Sequence, residues 1–187
     1  MPPKIKVSKE EIVAAALSIV REQGVQALGA RTVAARLNCS TQPVFSNFAT
    51  MEQLQQAVIL AAYDRYLAFI DGEVAQGKYP RYKAFGMAYV RFAKEETELF
   101  KFLFMRDRQG EDLSPTPDFE ESVRMMMELN GISEEKARLM HLELWTCVHG
   151  IGTMLATSFL SLEWDLISAM MTDFYQGLRT RHTTEGQ

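Results

Sequence analysis

The spacing of apolar residues along the chain predicts a series of helices, the first of which starts near Ser8. Ser8-Lys9-Glu10-Glu11 has the sequence of a capping box, in which a serine hydroxyl and a glutamate carboxylate bind free backbone N–H groups at a helix start. Gly24 tolerates the backbone conformation that ends a helix. We therefore expect a helix to about Gln23, with an apolar stripe of Ile12, Val13, Ala16, Leu17 and Val20.

Two short helices joined by a tight turn are expected next. The first spans Arg31 to Leu37 and stops at Asn38, a residue type that tolerates left-handed geometry. Either Ser40 or Thr41 can cap the third helix, which accommodates Pro43 because that residue falls in the first turn. The apolar side of this helix is predicted to comprise Val44, Phe45 and Phe48.

The rest of the chain also has helical periodicity. A long fourth helix begins after Thr50, with Gln53 at the capping-box position, and includes Leu54, Val58, Ala61, Tyr66 and Ile70. Further helices are expected at about 81–94, 98–105, 117–130, 133–161 and 163–178, with a polar tail that frays from Thr180. No stretch alternates like a strand. The predicted fold is all-α, with about nine helices in two domains, 1–50 and 51–187.

The composition is that of a folded protein whose charge is unevenly distributed. Hydrophobic residues make up 47% of the 187 residues, charged residues make up 24%, and the formal net charge is -4. Residues 1–47 contain six Lys or Arg and three Glu, a net +3, so the remainder carries -7. A basic N-terminal segment on an acidic body suits contact with nucleic-acid phosphates.

Cysteine usage and hydropathy point away from export, metal binding and membranes. Cys39 and Cys147 are far apart and lack zinc-ligand spacing, so we expect no disulfide framework, no metal and a reducing cytoplasm. The chain does not open with a secretory signal. The apolar stretch from Leu144 to Leu162 is interrupted by His149, which favours a buried helix over a membrane span.

The second and third predicted helices form a helix-turn-helix, which places a recognition helix in the major groove of DNA. Glutamine and asparagine side chains can pair with adenine, hydroxyls bind several bases, and proline can contact a thymine methyl group. The outward positions of the third helix therefore predict an uncharged base-reading surface, made of Thr41, Gln42, Pro43, Ser46 and Asn47.

The head of the chain resembles that of TetR-family bacterial regulators over residues 8–55. The resemblance is carried by Ile12-Val13-Ala14-Ala15-Ala16-Leu17, by Gly24, by Arg31-Thr32-Val33-Ala34, and by Ser40-Thr41-Gln42-Pro43-Val44-Phe45-Ser46-Asn47-Phe48. It implies phosphate contacts by Arg31 and Phe45 and base reading by their neighbours on the third helix. The DNA-binding set so predicted is Arg31, Thr32, Thr41, Gln42, Pro43, Val44, Phe45, Ser46 and Asn47, with Lys4 and Lys6 from the N-terminal arm.

Three positions depart from the family pattern in a way that weakens the grip on phosphates. Phe45 stands where the family often has tyrosine, Gly29 where a threonine cap is common, and Met51 where lysine is frequent. We expect Lys4, Lys6 and Lys9 to compensate, because nonspecific affinity grows with the number of phosphates neutralised.

The C-terminal part resembles one class of that family more loosely. Leu144-Trp145-Thr146-Cys147-Val148-His149-Gly150 looks like its Trp-x-x-x-His-Gly motif, and Tyr89-Val90-Arg91-Phe92-Ala93 is similar to another of its passages, although Thr97 replaces a common proline. The resemblance implies a domain that binds a ligand and dimerises. The expected ligand residues are Met87, Tyr89, Phe104, Met105, Phe119, Met126, Met127, Trp145 and His149, and the alternative for each is a place in the core. The expected dimer interface comprises Gly152, Leu155, Ala156, Phe159, Ile167, Met170 and Phe174.

The sequence thus predicts a homodimeric transcriptional regulator without a cofactor. It is expected to act as a repressor that a small, largely apolar ligand releases from a palindromic double-stranded operator. The alternative is a helical adaptor that binds protein and not DNA. An enzyme is disfavoured because the candidate groups Cys147, His149, Glu143 and His141 diverge around a helix.

Overall fold

A computed structural model describes residues 7–107 and 116–184, and these residues form nine α-helices, one 3-10 turn and no strand. The predicted all-α fold is therefore confirmed. The helices are α1 (Lys9–Gln23), α2 (Ala30–Arg36), α3 (Gln42–Asn47), α4 (Met51–Ala75), α5 (Arg81–Glu95), α6 (Thr97–Phe104), α7 (Pro117–Asn130), α8 (Glu134–Ala156) and α9 (Trp164–Thr184), with the 3-10 turn at Val25–Ala27.

Local sequence signals account for several helix ends. The Glu11 N–H donates to the Ser8 hydroxyl at 3.1 Å and the Ser8 N–H donates to the Glu11 carboxylate at 2.7 Å, so the predicted capping box is confirmed. Gly24 has a φ of 81° beyond α1, and Asn38 has a φ of 51° in the turn after α2. The backbone thus adopts a positive φ at a glycine, which has no Cβ to clash, and at an asparagine, a residue type that tolerates this conformation.

The ends of α8 and α9 differ from the prediction. Helix α8 stops at Ala156 and not at Ser161, because Ser158 adopts a φ of 56° and the Phe159 N–H turns back to the Met154 carbonyl. Helix α9 continues to Thr184, where the sequence predicts fraying from Thr180. The polar last turn is held because the His182 ring lies 2.7 Å from the Glu143 carboxylate of α8.

The chain divides into two compact units, and the first comprises Met1–Ala68 with Glu95–Arg106. Within this unit α1 packs against α2, α3 and α6. Its buried apolar side chains include Ile12, Ala16, Val20, Val33, Val44, Phe48, Leu54 and Val58. The unit boundary falls inside α4, while the functional boundary predicted between residues 50 and 51 stays a prediction.

The second unit comprises Phe69–Lys94 with Asp107–Gln187, and its described residues form two apolar clusters. One cluster joins α5, α8 and α9 through Met87, Val90, Ile151, Ile167 and Met171. The other joins α7 and α8 through Val123, Met126, Ala137, Met140 and Leu144. Among the described residues, no helix is both long and apolar enough to cross a membrane.

Candidate nucleic-acid interface and effector site

Helices α2 and α3, with the turn between them, present the surface expected to meet DNA. Val44 and Phe48 point into the core of the first unit, whereas Phe45 is 51% exposed. Phe45 therefore does not belong to the apolar side of α3, and its exposure suits the phosphate contact that the family resemblance implies. Val44 is an exception within the predicted DNA-binding set, because a side chain that is 1% exposed cannot reach DNA.

The polar side chains of α3 differ in how tightly they are bound by their own helix. The Ser46 hydroxyl donates to the Gln42 carbonyl at 2.8 Å, and the Asn47 amide donates to the Pro43 carbonyl at 2.8 Å. Gln42 lies in the first turn of α3 and is exposed, and Thr41 occupies the cap position without a capping hydrogen bond from its side chain. Gln42 is therefore the long polar side chain of α3 best placed to reach out.

The start of α2 is capped from within. The Gly29 N–H donates to the Thr32 hydroxyl at 3.0 Å, and that hydroxyl lies 2.7 Å from the Ala27 carbonyl and 2.8 Å from that of Gly29. Thr32 thus supplies the cap that a glycine at position 29 lacks. Arg31 is exposed at the same helix start. Lys4 and Lys6 lie outside the described residues, so their contribution stays a prediction.

An ion pair fixes α2 against α1. The Arg36 guanidinium donates to both oxygens of Glu22, at 3.0 Å and 2.8 Å, and to the Ser18 hydroxyl at 2.8 Å. The hydrogen bonds from Arg36, followed by that from Ser18, lower the pKa of Glu22 to about 2. Arg36 therefore positions the helix-turn-helix and does not merely solvate α2.

A second ion cluster ties α1 to α4 and to the start of α6. Glu96, the residue at the α6 cap, has a side chain that is 3% exposed and is bound by Arg21 of α1 at 2.6 Å and by Arg65 of α4 at 2.9 Å. Arg21 and Glu96 are 75 residues apart in sequence. No local sequence pattern signals this cluster, so it was not predicted.

In the second unit, the predicted ligand residues Tyr89, Trp145 and His149 form one chain of contacts. The Tyr89 hydroxyl lies 2.7 Å from His149 Nδ1, and the Trp145 ring stacks on the His149 ring with centroids 5.1 Å apart. Burial raises the pKa of Tyr89 and lowers the pKa of His149. A protonated Tyr89 therefore donates to a neutral His149, whose Nε2 carries the ring proton and lies 3.5 Å from the Thr153 hydroxyl.

A parallel pair joins the same two helices. The Tyr82 hydroxyl of α5 lies 2.8 Å from Nδ1 of His141 on α8, and the Phe119 ring meets the His141 ring edge to face at 4.7 Å. Burial lowers the pKa of His141 to about 4, opposed by the negative charge of Asp118. Both histidines are engaged by tyrosines, and burial raises the pKa of the Cys147 thiol, so these groups do not make an activated nucleophile.

The other predicted ligand residues are dispersed. Met87 belongs to the cluster of α5, α8 and α9, whereas Met126, with Phe119 and Met127 packed against it, belongs to the cluster of α7 and α8. Phe104 and Met105 fall in the first unit. A cleft of about 300 Å³ lies where α7 and α9 end and α8 begins, and it is lined by none of these residues but by Asn130, Gly131, Ile132, Ser133, Lys136, His182 and Thr183.

Most of the predicted dimer residues pack inside their own chain. Ile167, Gly152 and Ala156 are buried, and Leu155 and Met170 cover the cluster that contains Ile167. Their sequence periodicity thus reflects the core, and a fully buried Ile167 offers no surface to a partner. Phe159 is 76% exposed and Phe174 is also exposed. Further exposed apolar side chains lie on α8, on α9 and on the connection between these helices: Leu139, Leu142, Met154, Leu160 and Leu166.

A buried ion pair in the second unit was not expected from the sequence. Glu73, near the end of α4, is 2% exposed, and its Oε2 accepts from Arg91 Nε at 2.9 Å. The Arg91 guanidinium in turn lies 4.9 Å from the centre of the Trp164 ring.

The chain is similar to one known domain family and to solved structures of the same fold. The model of the tetracyclin repressor-like C-terminal domain family matches residues 82–174, just under half of the chain. A search of curated proteins gave no match. Many solved structures share this fold, and three of them illustrate the likeness. A TetR-family member from Streptomyces coelicolor has a TM-score of 0.65 and 16% identity over 89% of this chain and 96% of its own.

The other two structures contain bound small molecules. The multidrug binding protein EbrR, in complex with imidazole, has a TM-score of 0.62 and 17% identity over 88% of this chain and 93% of its own. A TetR variant from Acinetobacter baumannii, in complex with minocycline, has a TM-score of 0.54 and 18% identity over 94% of each chain. At these identities the likeness concerns the fold, and the Trp-x-x-x-His-Gly class is not tested by it.

Proposed function

We infer that this chain is a TetR-family transcriptional regulator, which binds DNA through α2 and α3 and a small molecule through its C-terminal helices. One observation carries this inference: a helix-turn-helix precedes, in the same chain, a segment that matches the tetracyclin repressor-like C-terminal domain. The fold shared with TetR-family structures along nearly the whole chain supports it.

For DNA binding we propose a division of roles on the exposed surface of α2 and α3. Arg31 and the edge of Phe45 face the phosphates, while Gln42 and Pro43 contact base edges in the major groove. Ser46 and Asn47 are held by carbonyls of their own helix, so each must exchange a hydrogen bond to read a base. Gln42 is therefore the main candidate for sequence reading.

For the effector we propose a small, largely apolar molecule that contacts Trp145 and His149. Two structures of similar fold are complexes with imidazole and with minocycline, which supports a small-molecule role for this fold. Tyr89 occupies His149 Nδ1, so Nε2 is the donating ring nitrogen, and a ligand would exchange with the Thr153 hydroxyl that lies 3.5 Å from it; the stacked Trp145 ring is 40% exposed. We propose that binding releases the protein from its operator, as a repressor requires.

Helix α4 offers a route from effector to DNA because it runs from the first unit into the second. In the first unit, Arg65 of α4 and Arg21 of α1 share the Glu96 carboxylate. A displacement of α4 would therefore be passed to α1, on which α2 and α3 pack. Effector binding shifts the population between two α4 positions only if its affinity for the two differs.

We further propose that the protein acts as a homodimer on a palindromic operator. Two helix-turn-helix heads must reach half-sites about 34–36 Å apart along the DNA. The exposed apolar residues of α8, α9 and their connection, above all Phe159, Leu166 and Phe174, supply a surface that a second copy can cover.

DNA footprinting tests the central claim. We expect the purified protein to protect an inverted repeat in the DNA beside its own gene or in a genome-wide selection. Gln42→Ala should weaken binding to that site by about 1–3 kcal/mol and relax its preference at one position of each half-site, as expected for loss of a base contact. Gln76→Ala, which removes an exposed glutamine outside the head, is the matched control. Failure of the wild-type protein to select any sequence would refute the proposed function.

A further inference from the structure

One buried atom of the second unit is unexplained by the fold. Glu73 Oε2 accepts from Arg91, but Glu73 Oε1 is shielded from solvent and has no hydrogen-bond partner. Buried carboxylate oxygens are normally satisfied, and an arginine can satisfy both oxygens of a carboxylate at once. Here the Arg91 interaction leaves one oxygen of a charged group bare, which is unfavourable in the interior.

Two aromatic groups lie close to the Glu73–Arg91 ion pair. Phe69 lies one turn earlier on α4, and its ring meets the Phe92 ring edge to face at 5.2 Å. Arg91, the partner of Glu73, lies over the Trp164 ring. A bare acceptor with aromatic rings near its ion pair suits a flat molecule that carries one hydrogen-bond donor.

Nearby charges indicate that the donor is neutral. Arg91 already balances the charge of Glu73. A cationic ligand would bring a second positive charge to the same carboxylate, beside Arg91, and would be repelled by it. A neutral N–H or O–H group can bind Glu73 Oε1 without that repulsion.

We propose that Glu73 Oε1 is a recognition point for a neutral aromatic compound with an N–H or O–H donor, such as an indole, an azole or a phenol. The proposal goes beyond the proposed function, because it concerns a recognition point at Glu73 and not the contacts with Trp145 and His149. Because Oε1 is closed to solvent, entry of the compound must displace neighbouring side chains. The donor offsets part of that cost by satisfying the carboxylate, so affinity should depend strongly on the donor.

Indole and 1-methylindole provide the test because they have almost the same shape and only indole carries an N–H donor. Binding to the full-length protein without DNA is measured by ligand-observed NMR or calorimetry through the millimolar range. A hydrogen bond to a buried charged group should make indole bind at least about tenfold more tightly than 1-methylindole. Phenol and anisole form a second pair with the same expected preference.

Two variants assign the preference to Glu73. Glu73→Met removes the acceptor while keeping an apolar chain of similar length, and it should bind indole and 1-methylindole equally. Glu73→Gln keeps the size and a neutral acceptor, so it should show a reduced preference, and it serves if the methionine variant does not fold. Asp71→Asn, an exposed carboxylate on the same helix, is the control and should behave as wild type.

Three outcomes overturn the proposal: equal binding of the two indoles to wild type, a preference that survives in both Glu73 variants, or no saturable binding of any of the four compounds. A preference for benzylamine over indole would overturn the neutral class. The assay contains no DNA, so failure here with normal operator footprinting refutes the Glu73 site alone. Failure of footprinting with a Glu73-dependent indole preference refutes the regulator and leaves the site.

Discussion

Lowering the pH should destabilise the second unit through His141. This ring is 8% exposed, and burial lowers its pKa from an ordinary 6.5 to about 4. Between pH 6.5 and about pH 4, the unfolded chain therefore binds a proton at His141 more readily than the folded chain does. The stabilisation is complete above pH 6.5 and is lost as the pH falls from 6.5 towards 4.

The size of the effect follows from the separation of the two pKa values. A shift from 6.5 to about 4 corresponds to about 3 kcal/mol of unfolding free energy, a large part of the stability of a typical domain. Carboxylates titrate in the same range, so the contribution of His141 is isolated with His141→Gln, which cannot take up a proton. The stability difference between wild type and this variant should shrink or reverse as the pH falls.

Denaturant unfolding followed by circular dichroism at pH 7, 6, 5 and 4.5 measures this difference. Tyr82→Phe removes the hydroxyl from which His141 accepts a hydrogen bond but leaves the His141 ring buried. This variant should therefore be less stable than wild type by about 1 kcal/mol at pH 7, and its stability should keep the same dependence on pH. A wild-type minus His141→Gln difference that is constant over this range would refute the reasoning. So would loss of the pH dependence in Tyr82→Phe, because the hydrogen bond and not burial would then set the pKa.

Three further changes test other parts of the structure. Glu96→Gln should lower operator affinity and reduce stability by about 1–3 kcal/mol, because Arg21 and Arg65 lose their shared carboxylate. Gel-shift titration measures the affinity and denaturant unfolding measures the stability, and unchanged values would contradict this expectation. Phe159→Glu should shift the protein towards monomer in sedimentation without loss of helicity, and an unchanged dimer would exclude that residue from the interface. Thr32→Val should cost about 1 kcal/mol by uncapping α2, visible as a lower Tm, whereas an unaltered Tm would show that the cap is dispensable.

The sequence predicts the fold well where the deciding interactions are local. The capping box at Ser8 and the positive φ at Asn38 involve residues within a few positions of each other, and both are confirmed. The end of α8 at Ala156 was missed because the apolar pattern continues through Phe159 into a region that is not helical.

The candidate sites are less predictable because they depend on distant partners. The partners Arg21 and Arg65 of Glu96 are set by packing of three helices, and so is the burial of Glu73 beside Arg91. Periodicity also cannot tell which of two apolar faces a helix keeps for its own core. For this reason Ile167 was placed in a dimer interface although it lies inside its own chain.

The two tyrosine–histidine hydrogen bonds between α5 and α8 fix the position of one helix along the other. Tyr82 and Tyr89 are seven residues apart on one helix, and His141 and His149 are eight apart on the other, so both bonds hold in a single register. Sliding α8 along α5 by one turn would break both hydrogen bonds and would bring no other histidine opposite Tyr82 or Tyr89. A ligand that displaces α8 along α5 must therefore break both hydrogen bonds at once, whereas a ligand that leaves this register intact breaks neither.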